Sequence, residues 1–178
     1  MSLPKKIAVI GPESTGKSSL CTSLAAHYKC RWVPEFAREY LIKNGSSYTF
    51  DSLLEIAKEQ VASEDKLFQS AIENNEAILF VDTEMCIMKV WFEYVFHNCP
   101  SFVLNQLAVR QYDLYFLCAP DLPWVKDELR EYPDYETRNK LYHYYKEFLI
   151  NQQTPWIEIT GKDDERIEKA IGAVDGIL

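Results

Sequence analysis

The amino-acid sequence predicts an α/β fold in which a central parallel sheet of about five strands is flanked by helices. Three observations favour this class: continuous apolar runs, helical patterns between them, and a glycine-rich turn directly after the first run. A run without polar alternation is typical of a strand that is covered on both faces. Strands are therefore predicted at residues 7–10, 77–81, 112–118 and 156–159, with a weaker one at 30–33.

The clearest helical pattern covers residues 52–73, where Leu53, Ala57 and Val61 share one face. Ser52 and Glu55 have the spacing of a capping box at the start of this helix. Further helices are predicted at residues 17–28, 84–96, 101–110, 136–150 and 163–174. Because strands and helices alternate, we expect ligands to bind beyond the carboxyl ends of parallel strands.

The first turn is a phosphate-binding loop of the Walker A type, in the stretch KKIAVIGPESTGKS at residues 5–18. Its glycines allow backbone N–H groups to converge on phosphate oxygens. Lys17 can reach the β- and γ-phosphates, and the Ser18 hydroxyl is placed to bind Mg²⁺. ATP and Mg²⁺ are the predicted cofactors, in a P-loop NTPase fold like that of nucleoside and nucleotide kinases. The predicted nucleotide-binding residues of this loop are Gly11, Glu13, Ser14, Thr15, Gly16, Lys17, Ser18 and Ser19.

Charged residues follow the second and third predicted strands, at the rim where the phosphate-binding loop lies. Glu35 could accept the proton of an attacking hydroxyl, and Arg38 could bind substrate or the transferred phosphoryl group. Asp82 ends an apolar strand, which favours a place beside the metal ion together with Ser18. Asp82 could instead be the general base while Glu35 orients substrate, and the sequence leaves these two assignments open.

The fourth and fifth predicted strands are followed by loops that could close over a nucleotide. Residues 121–139 read as a lid, and Arg130 and Arg138 within it could stabilise charge on the transferred phosphoryl group. A solvated helical face is the alternative for these arginines. Gly161 could pack against adenine, or it could serve only a turn before the last helix.

Composition narrows the class of protein further. The chain has 178 residues, of which 47% are hydrophobic, and these values favour a single globular domain spanning residues 1–178. A net charge of −8 argues against a nucleic-acid partner or an anionic membrane surface. Five cysteines without a paired spacing favour reduced thiols and a cytoplasmic location. The histidines show no metal-ligand grouping.

The order of these motifs resembles the ribosylnicotinamide kinase domain of the bifunctional NAD-salvage proteins. The likeness runs through GPESTGKSSL, PEFAREYL, VDTEM, YDLYFL, PWVKDELR and a last apolar strand before Gly161 and Arg166. The resemblance implies ATP-dependent phosphorylation of the 5′-hydroxyl of nicotinamide riboside, which yields nicotinamide mononucleotide. The family's adenylyltransferase domain has no counterpart in this sequence, so we expect a stand-alone kinase that does not make NAD by itself.

The acceptor-binding aromatic residue is left open by the sequence. In the resembling family an aromatic residue commonly precedes the glutamate of the second motif, but Pro34 occupies this position here and Trp32 lies two residues earlier. Trp32 or another aromatic residue could take its place, or the acceptor could be a different nucleoside. No spacing selects one aromatic residue, because most of them lie in helical patterns where packing is the ordinary role.

The alternative function is a P-loop ATPase or nucleotide-dependent switch that acts on another nucleoside or on a protein partner. The sequence lacks the glycine that follows the Asp82 position in GTPases, and Asn139-Lys140 does not continue as a guanine-reading motif. A kinase with a small nucleoside acceptor is therefore favoured. The oligomeric state is not predicted.

Overall fold

The computed structural model describes residues 3–178 as an alternation of strands and helices, which confirms the α/β prediction. The strands are β1 (Lys5–Ile10), β2 (Trp32–Val33), β3 (Ile78–Asp82), β4 (Leu114–Cys118) and β5 (Trp156–Ile159). The helices are α1 (Lys17–Tyr28), α2 (Phe36–Asn44), α3 (Phe50–Glu73), α4 (Met85–Phe96), α5 (Ser101–Val109), α6 (Tyr135–Ile150) and α7 (Asp163–Asp175).

The five strands form one parallel sheet in the order β2-β3-β1-β4-β5. β1 lies at the centre, and the chain moves to one side of it through β3 and to the other through β4. The carboxyl end of β1 is therefore a topological switch point, where a crevice opens between neighbouring connections. The phosphate-binding loop follows β1 directly, so this topology places the loop in that crevice.

Alternate residues of β1 face two different layers of helices. Ala8 and Ile10 pack in a cluster that includes side chains of α4 and α6, whereas Ile7 and Val9 pack with α1 and α7. All four side chains are fully buried, which explains why the strand reads as a continuous apolar run. A third cluster joins α2, α3, α4 and α5 beside the sheet. The site therefore rests on a packed three-layer frame.

Two helical features differ from the sequence prediction. The helix α2 was not expected, because a nine-residue segment with only Ala37 and Leu41 buried has a weak apolar period. The helix α3 begins two residues before the predicted start, and its capping box joins Thr49 with Ser52 instead of Ser52 with Glu55. The predicted pair is wrong because the helix begins at Phe50, which packs against the third cluster, so Thr49 and not Ser52 is the N-cap residue.

The remaining predicted elements agree with the structure to within two residues at each end. Residues 121–134 connect β4 to α6 with turns and irregular backbone, whereas residues 135–139 of the predicted lid belong to the first turns of α6. Within residues 3–178, no helix combines the length and the apolar character that crossing a membrane requires.

Candidate active site

The phosphate-binding loop depends on backbone conformations that glycine allows. Gly11 has a φ of +145° and Gly16 a φ of +77°. A Cβ at Gly11 would lie 2.6 Å from the carbonyl oxygen of Cys118, so β4 excludes a side chain there. Gly16 is the N-cap of α1, and no side chain caps that helix. The first N–H groups of α1 therefore remain available to an anion.

Polar side chains of the loop bind their own backbone. The Thr15 hydroxyl donates a 2.8 Å hydrogen bond to the carbonyl of Pro12, and the Lys17 ammonium donates to the same oxygen at 3.0 Å. Lys17 also lines the cavity above the loop, together with Ser18 and Ser19. The predicted phosphate cation thus lies at the loop, held by a carbonyl group that a phosphate oxygen could replace.

Ser18 and Asp82 lie together, as the sequence predicted for a metal site. The Ser18 hydroxyl donates to Asp82 Oδ2 over 2.5 Å, while Asp82 Oδ1 is buried and has no hydrogen-bond partner among residues 3–178. Burial raises the pKa of Asp82, although Lys17 and Ser18 oppose this shift. A hydroxyl with a carboxylate oxygen left unpaired is a donor set that suits Mg²⁺. The arrangement therefore fits the predicted metal ion.

Thr83 follows Asp82 in a left-handed conformation, with a φ of +70°. This is costly for a β-branched residue, and Thr83 is buried. Strained backbone is concentrated at functional sites in proteins, so the conformation marks this corner independently of the motif.

Glu35 is the N-cap residue of α2, and its side chain lines the cavity without capping the helix. Burial raises the pKa of this carboxyl, and the nearby Asp82 charge raises it further, whereas Lys17 and Arg38 lower it. Arg38 itself forms a 2.7 Å ion pair with Asp127 of the lid. The Asp82 charge thus acts on Glu35 by raising its pKa, while Arg38 is paired with Asp127.

The tip of the phosphate-binding loop holds the lid. The Glu13 carboxylate accepts hydrogen bonds from the backbone N–H of Glu131 at 3.0 Å and of Tyr132 at 2.5 Å. The Ser14 hydroxyl accepts another from the N–H of Val125 at 3.1 Å. Two side chains predicted to contact nucleotide therefore bind the lid backbone in this structure.

The two predicted lid arginines occupy different environments. Arg130 lines the cavity and donates a 2.5 Å hydrogen bond to the carbonyl of Val125. Arg138 lies in the first turn of α6, is buried, and does not line the cavity. Its Nε and Nη1 atoms have no partners among residues 3–178. The structure therefore brings only Arg130 to the cavity wall.

Gly161 lies beside the phosphate-binding loop without lining the cavity. Its N–H donates to Asp121 Oδ2 at 2.8 Å, and its carbonyl accepts from Arg166 Nε at 2.8 Å. The buried Arg166 also donates to the carbonyls of Thr15 and Ala119 at 2.8 and 3.0 Å, and it pairs with Asp121. One guanidinium therefore joins the phosphate-binding loop, the exit of β4 and the Gly161 turn.

A cavity of about 340 Å³ extends from the phosphate-binding loop to an aromatic wall. The wall consists of Trp91, Tyr94, Tyr132 and Tyr145. The Trp91 indole N–H donates to Tyr48 at 2.8 Å, and the rings of Tyr94 and Tyr132 meet edge to face at 5.6 Å. This volume is in the range of small-molecule sites.

The aromatic wall was not predicted, because its members come from α4, α6 and the irregular lid rather than from one periodic stretch. Trp32 packs with the α1 and α7 cluster on the other side of the sheet and does not reach the cavity. Gln60 was also missed, although a detectable signal exists. It is a polar residue at the buried phase of the α3 stripe, three positions after Ala57.

Comparisons with known proteins agree with the motif order. The chain is 23% identical to the trifunctional NAD biosynthesis/regulator protein NadR of Escherichia coli, and the match covers 96% of this chain and 42% of that protein. It is 20% identical to the Salmonella typhimurium NadR over 98% of this chain and 43% of that protein. The chain thus spans less than half the length of these curated relatives. Their similarity confirms the resemblance expected from the sequence.

Solved structures share the fold. A crystal structure of NadR in complex with NR matches with a TM-score of 0.79 at 21% identity, covering 98% of this chain and 49% of that chain. The thymidylate kinase of Ehrlichia chaffeensis matches with a TM-score of 0.67 at 16% identity, over 98% of this chain and all of that one. The AAA-domain family model matches residues 6–166. Since this match covers most of the sequence, the chain belongs to the AAA-domain family.

Proposed function

We propose that this protein is an ATP-dependent nucleoside kinase that phosphorylates nicotinamide riboside to nicotinamide mononucleotide. The observation that carries the proposal is the continuity of one cavity. The phosphate-binding loop, Glu35 and the aromatic residues Trp91, Tyr94, Tyr132 and Tyr145 all line this cavity. A phosphoryl donor and a flat acceptor could therefore bind side by side in one cavity whose lining includes a carboxylate.

The donor half of the cavity suits Mg-ATP. The uncapped start of α1 and the Lys17 ammonium can bind the phosphates, and Ser18 with Asp82 can bind the metal ion. When bound, Mg²⁺ would neutralise charge that develops on the phosphate oxygens. Arg130 is placed to add positive charge on the lid side after leaving the Val125 carbonyl.

The acceptor half suits an aromatic cation. Trp91, Tyr94 and Tyr132 line it, and so does Glu131, whose carboxylate accepts a hydrogen bond from the Tyr48 hydroxyl at 3.1 Å. The pyridinium ring of nicotinamide riboside is flat and positively charged, so both features favour it. The relatives named NadR act in NAD biosynthesis, and one NadR structure is a complex with NR, which supports the same acceptor here.

The transfer step follows from this placement. The acceptor 5′-hydroxyl oxygen forms a bond to the γ-phosphorus, the bond from that phosphorus to the β–γ bridging oxygen breaks, and ADP leaves. In this assignment Glu35 accepts the hydroxyl proton, since it lines the same cavity as the phosphate-binding loop and the aromatic residues. Asp82 then remains on the metal side with Ser18.

The direct test is incubation with Mg-ATP and nicotinamide riboside, followed by mass spectrometry of the products. We expect the mononucleotide and ADP in equal amounts. Absence of phosphorylated riboside at high enzyme concentration would reject this acceptor, and a panel of purine, pyrimidine and pyridine ribosides would then identify another. ATP hydrolysis that does not depend on any added acceptor would instead favour the nucleotide-dependent switch.

A further inference from the structure

A single buried amide joins the two segments that carry Glu35 and Asp82. Gln60 is only 1% exposed and belongs to α3, a helix of which no residue lines the cavity. Burying an amide inside a helix face is costly unless its polar atoms are hydrogen-bonded. The position would otherwise suit an apolar residue, because Ala57 and Val61 beside it are part of the packed stripe. The amide therefore needs an explanation beyond packing.

The contacts of Gln60 surround Glu35 along the chain. Its Oε1 accepts a 2.8 Å hydrogen bond from the N–H of Phe36, directly after Glu35. Its Nε2 donates to the carbonyl of Pro34, directly before Glu35, at 3.3 Å. The same Nε2 donates to the carbonyl of Asp82 at 3.3 Å. One side chain thus binds the backbone on both sides of Glu35 and at Asp82 itself.

The Glu35 carboxylate does not cap its own helix. A residue at the N-cap commonly turns its side-chain oxygen back onto the first N–H groups of its helix. Glu35 holds the N-cap position of α2 and makes no such bond. Gln60 supplies an acceptor from another helix to the first N–H of α2, that of Phe36. Glu35 lines the cavity, while Gln60 holds the backbone at the start of its helix.

We propose that Gln60 is a positioning residue of the phosphoryl-transfer site, which sets the spacing of Glu35 and Asp82 by holding the backbone on both sides of Glu35 and the carbonyl of Asp82. Its effect on turnover rests on the proposed function, whereas its effect on the start of α2 does not. Gln60 touches neither nucleotide nor acceptor in this assignment. Its loss should therefore change the rate of the chemical step more than the binding of ATP.

Gln60→Met is the informative variant, because methionine has a similar length and lacks both the donor and the acceptor. Glu64→Gln is the matched control. Glu64 lies one turn later on α3, is 2% exposed, and binds Lys6, Arg110 and Tyr112 away from the cavity. Both variants damage a buried polar group of one helix, so both should lower the melting temperature.

The two variants should differ in activity. With Gln60→Met we expect kcat to fall about 10²-fold, the loss that a displacement of about 1 Å can cause, while KM for ATP changes little. Glu64→Gln should keep kcat close to the parent value. A Gln60→Met enzyme with parental kcat, or equal kcat losses in the two variants, would overturn the positioning role.

Amide hydrogen exchange gives a second reading that needs no activity. The Phe36 N–H should exchange faster in Gln60→Met than in the parent or in Glu64→Gln, because it loses its acceptor. Unchanged protection there would overturn the inference even in an active enzyme. A parent protein that phosphorylates no nicotinamide riboside would reject the proposed function, and the exchange measurement would still decide whether Gln60 holds this corner.

Discussion

Glu35 and Asp82 are two carboxyls whose pKa values burial raises together, and only one of them has the Ser18 hydroxyl as a hydrogen-bond donor. That difference separates their proposed tasks. The Asp82 carboxyl is bonded to Ser18 and is oriented for a metal ion. The Glu35 carboxyl lines the cavity and can accept a proton. From the residue types alone, either Glu35 or Asp82 could be the general base.

A base acts only when it is deprotonated, so the pH dependence of turnover tests Glu35. Burial and Asp82 raise the pKa of Glu35 above that of an ordinary glutamate, which is about 4.3. As the pH falls, activity should therefore be lost at a higher pH than it would be with an unperturbed glutamate as the base. Glu35→Gln should remove this limb and lower kcat about 10²- to 10⁴-fold. Glu39→Gln, on the exposed side of α2, is the control. If Asp82→Asn alone abolishes the limb, the assignments must be exchanged.

A substitution at Trp91 tests the acceptor half of the cavity. Trp91→Leu should raise KM for nicotinamide riboside by roughly 2- to 30-fold, which corresponds to a cation–π energy of about 0.5–2 kcal/mol. KM for ATP should stay near the parent value, because Trp91 lies at the far end of the cavity from the phosphate-binding loop in the proposed assignment. Trp32→Leu removes the same ring from the other side of the sheet and should leave both values unchanged. An equal rise of KM for nicotinamide riboside in the two variants would contradict the assignment of Trp91 to the acceptor half.

Residues 121–134 are hydrogen-bonded to the phosphate-binding loop, and Glu13 accepts two of the three bonds. In Glu13→Ala the N–H groups of Glu131 and Tyr132 lose their acceptor. We expect faster amide exchange across the lid and a lower kcat with a smaller change in KM for ATP. Glu128→Ala, an exposed lid carboxylate, should change neither. Unchanged exchange in Glu13→Ala would show that other contacts close the lid.

The two arginines should separate catalysis from stability. Arg130→Ala should lower kcat by about 10³-fold or more if the guanidinium reaches the transferred phosphoryl group, with little change in melting temperature. Arg138 is buried at the start of α6, so Arg138→Ala should lower the melting temperature as well. In Arg130→Ala the loss of kcat should exceed the loss of ATP binding. Equal loss of turnover and ATP binding would favour a ground-state binding role.

The fold as a whole was accessible from the sequence because its signals are local or periodic. The strands are buried on both faces and read as apolar runs, and the phosphate-binding loop has a fixed spacing. The helix α2 was not predicted, because it is short and buries only Ala37 and Leu41. Contacts such as Glu13 with the lid join residues more than a hundred positions apart, and no spacing encodes them.

Ligand binding should stabilise the entire molecule. A ligand that binds only the folded state at 100 times its Kd adds about 2.7 kcal/mol to the free energy of unfolding. For a chain of this size, 1 kcal/mol raises the melting temperature by roughly 2–4 °C, so Mg-ATP should produce a shift of about 5–11 °C. Lys17→Ala should fold normally and show a much smaller shift. No shift with millimolar Mg-ATP in the parent would remove the basis for a phosphate donor site.

The left-handed Thr83 has a consequence for thermal tolerance. A β-branched residue held at a φ of +70° raises the energy of the native state by about 1–3 kcal/mol, and every other part of the frame must compensate for it. A glycine would relieve that strain but would make the unfolded chain more flexible, so the two effects on the melting temperature oppose one another. The strained residue lies directly after Asp82, and lower stability beside a functional residue is a common trade-off between stability and activity in enzymes.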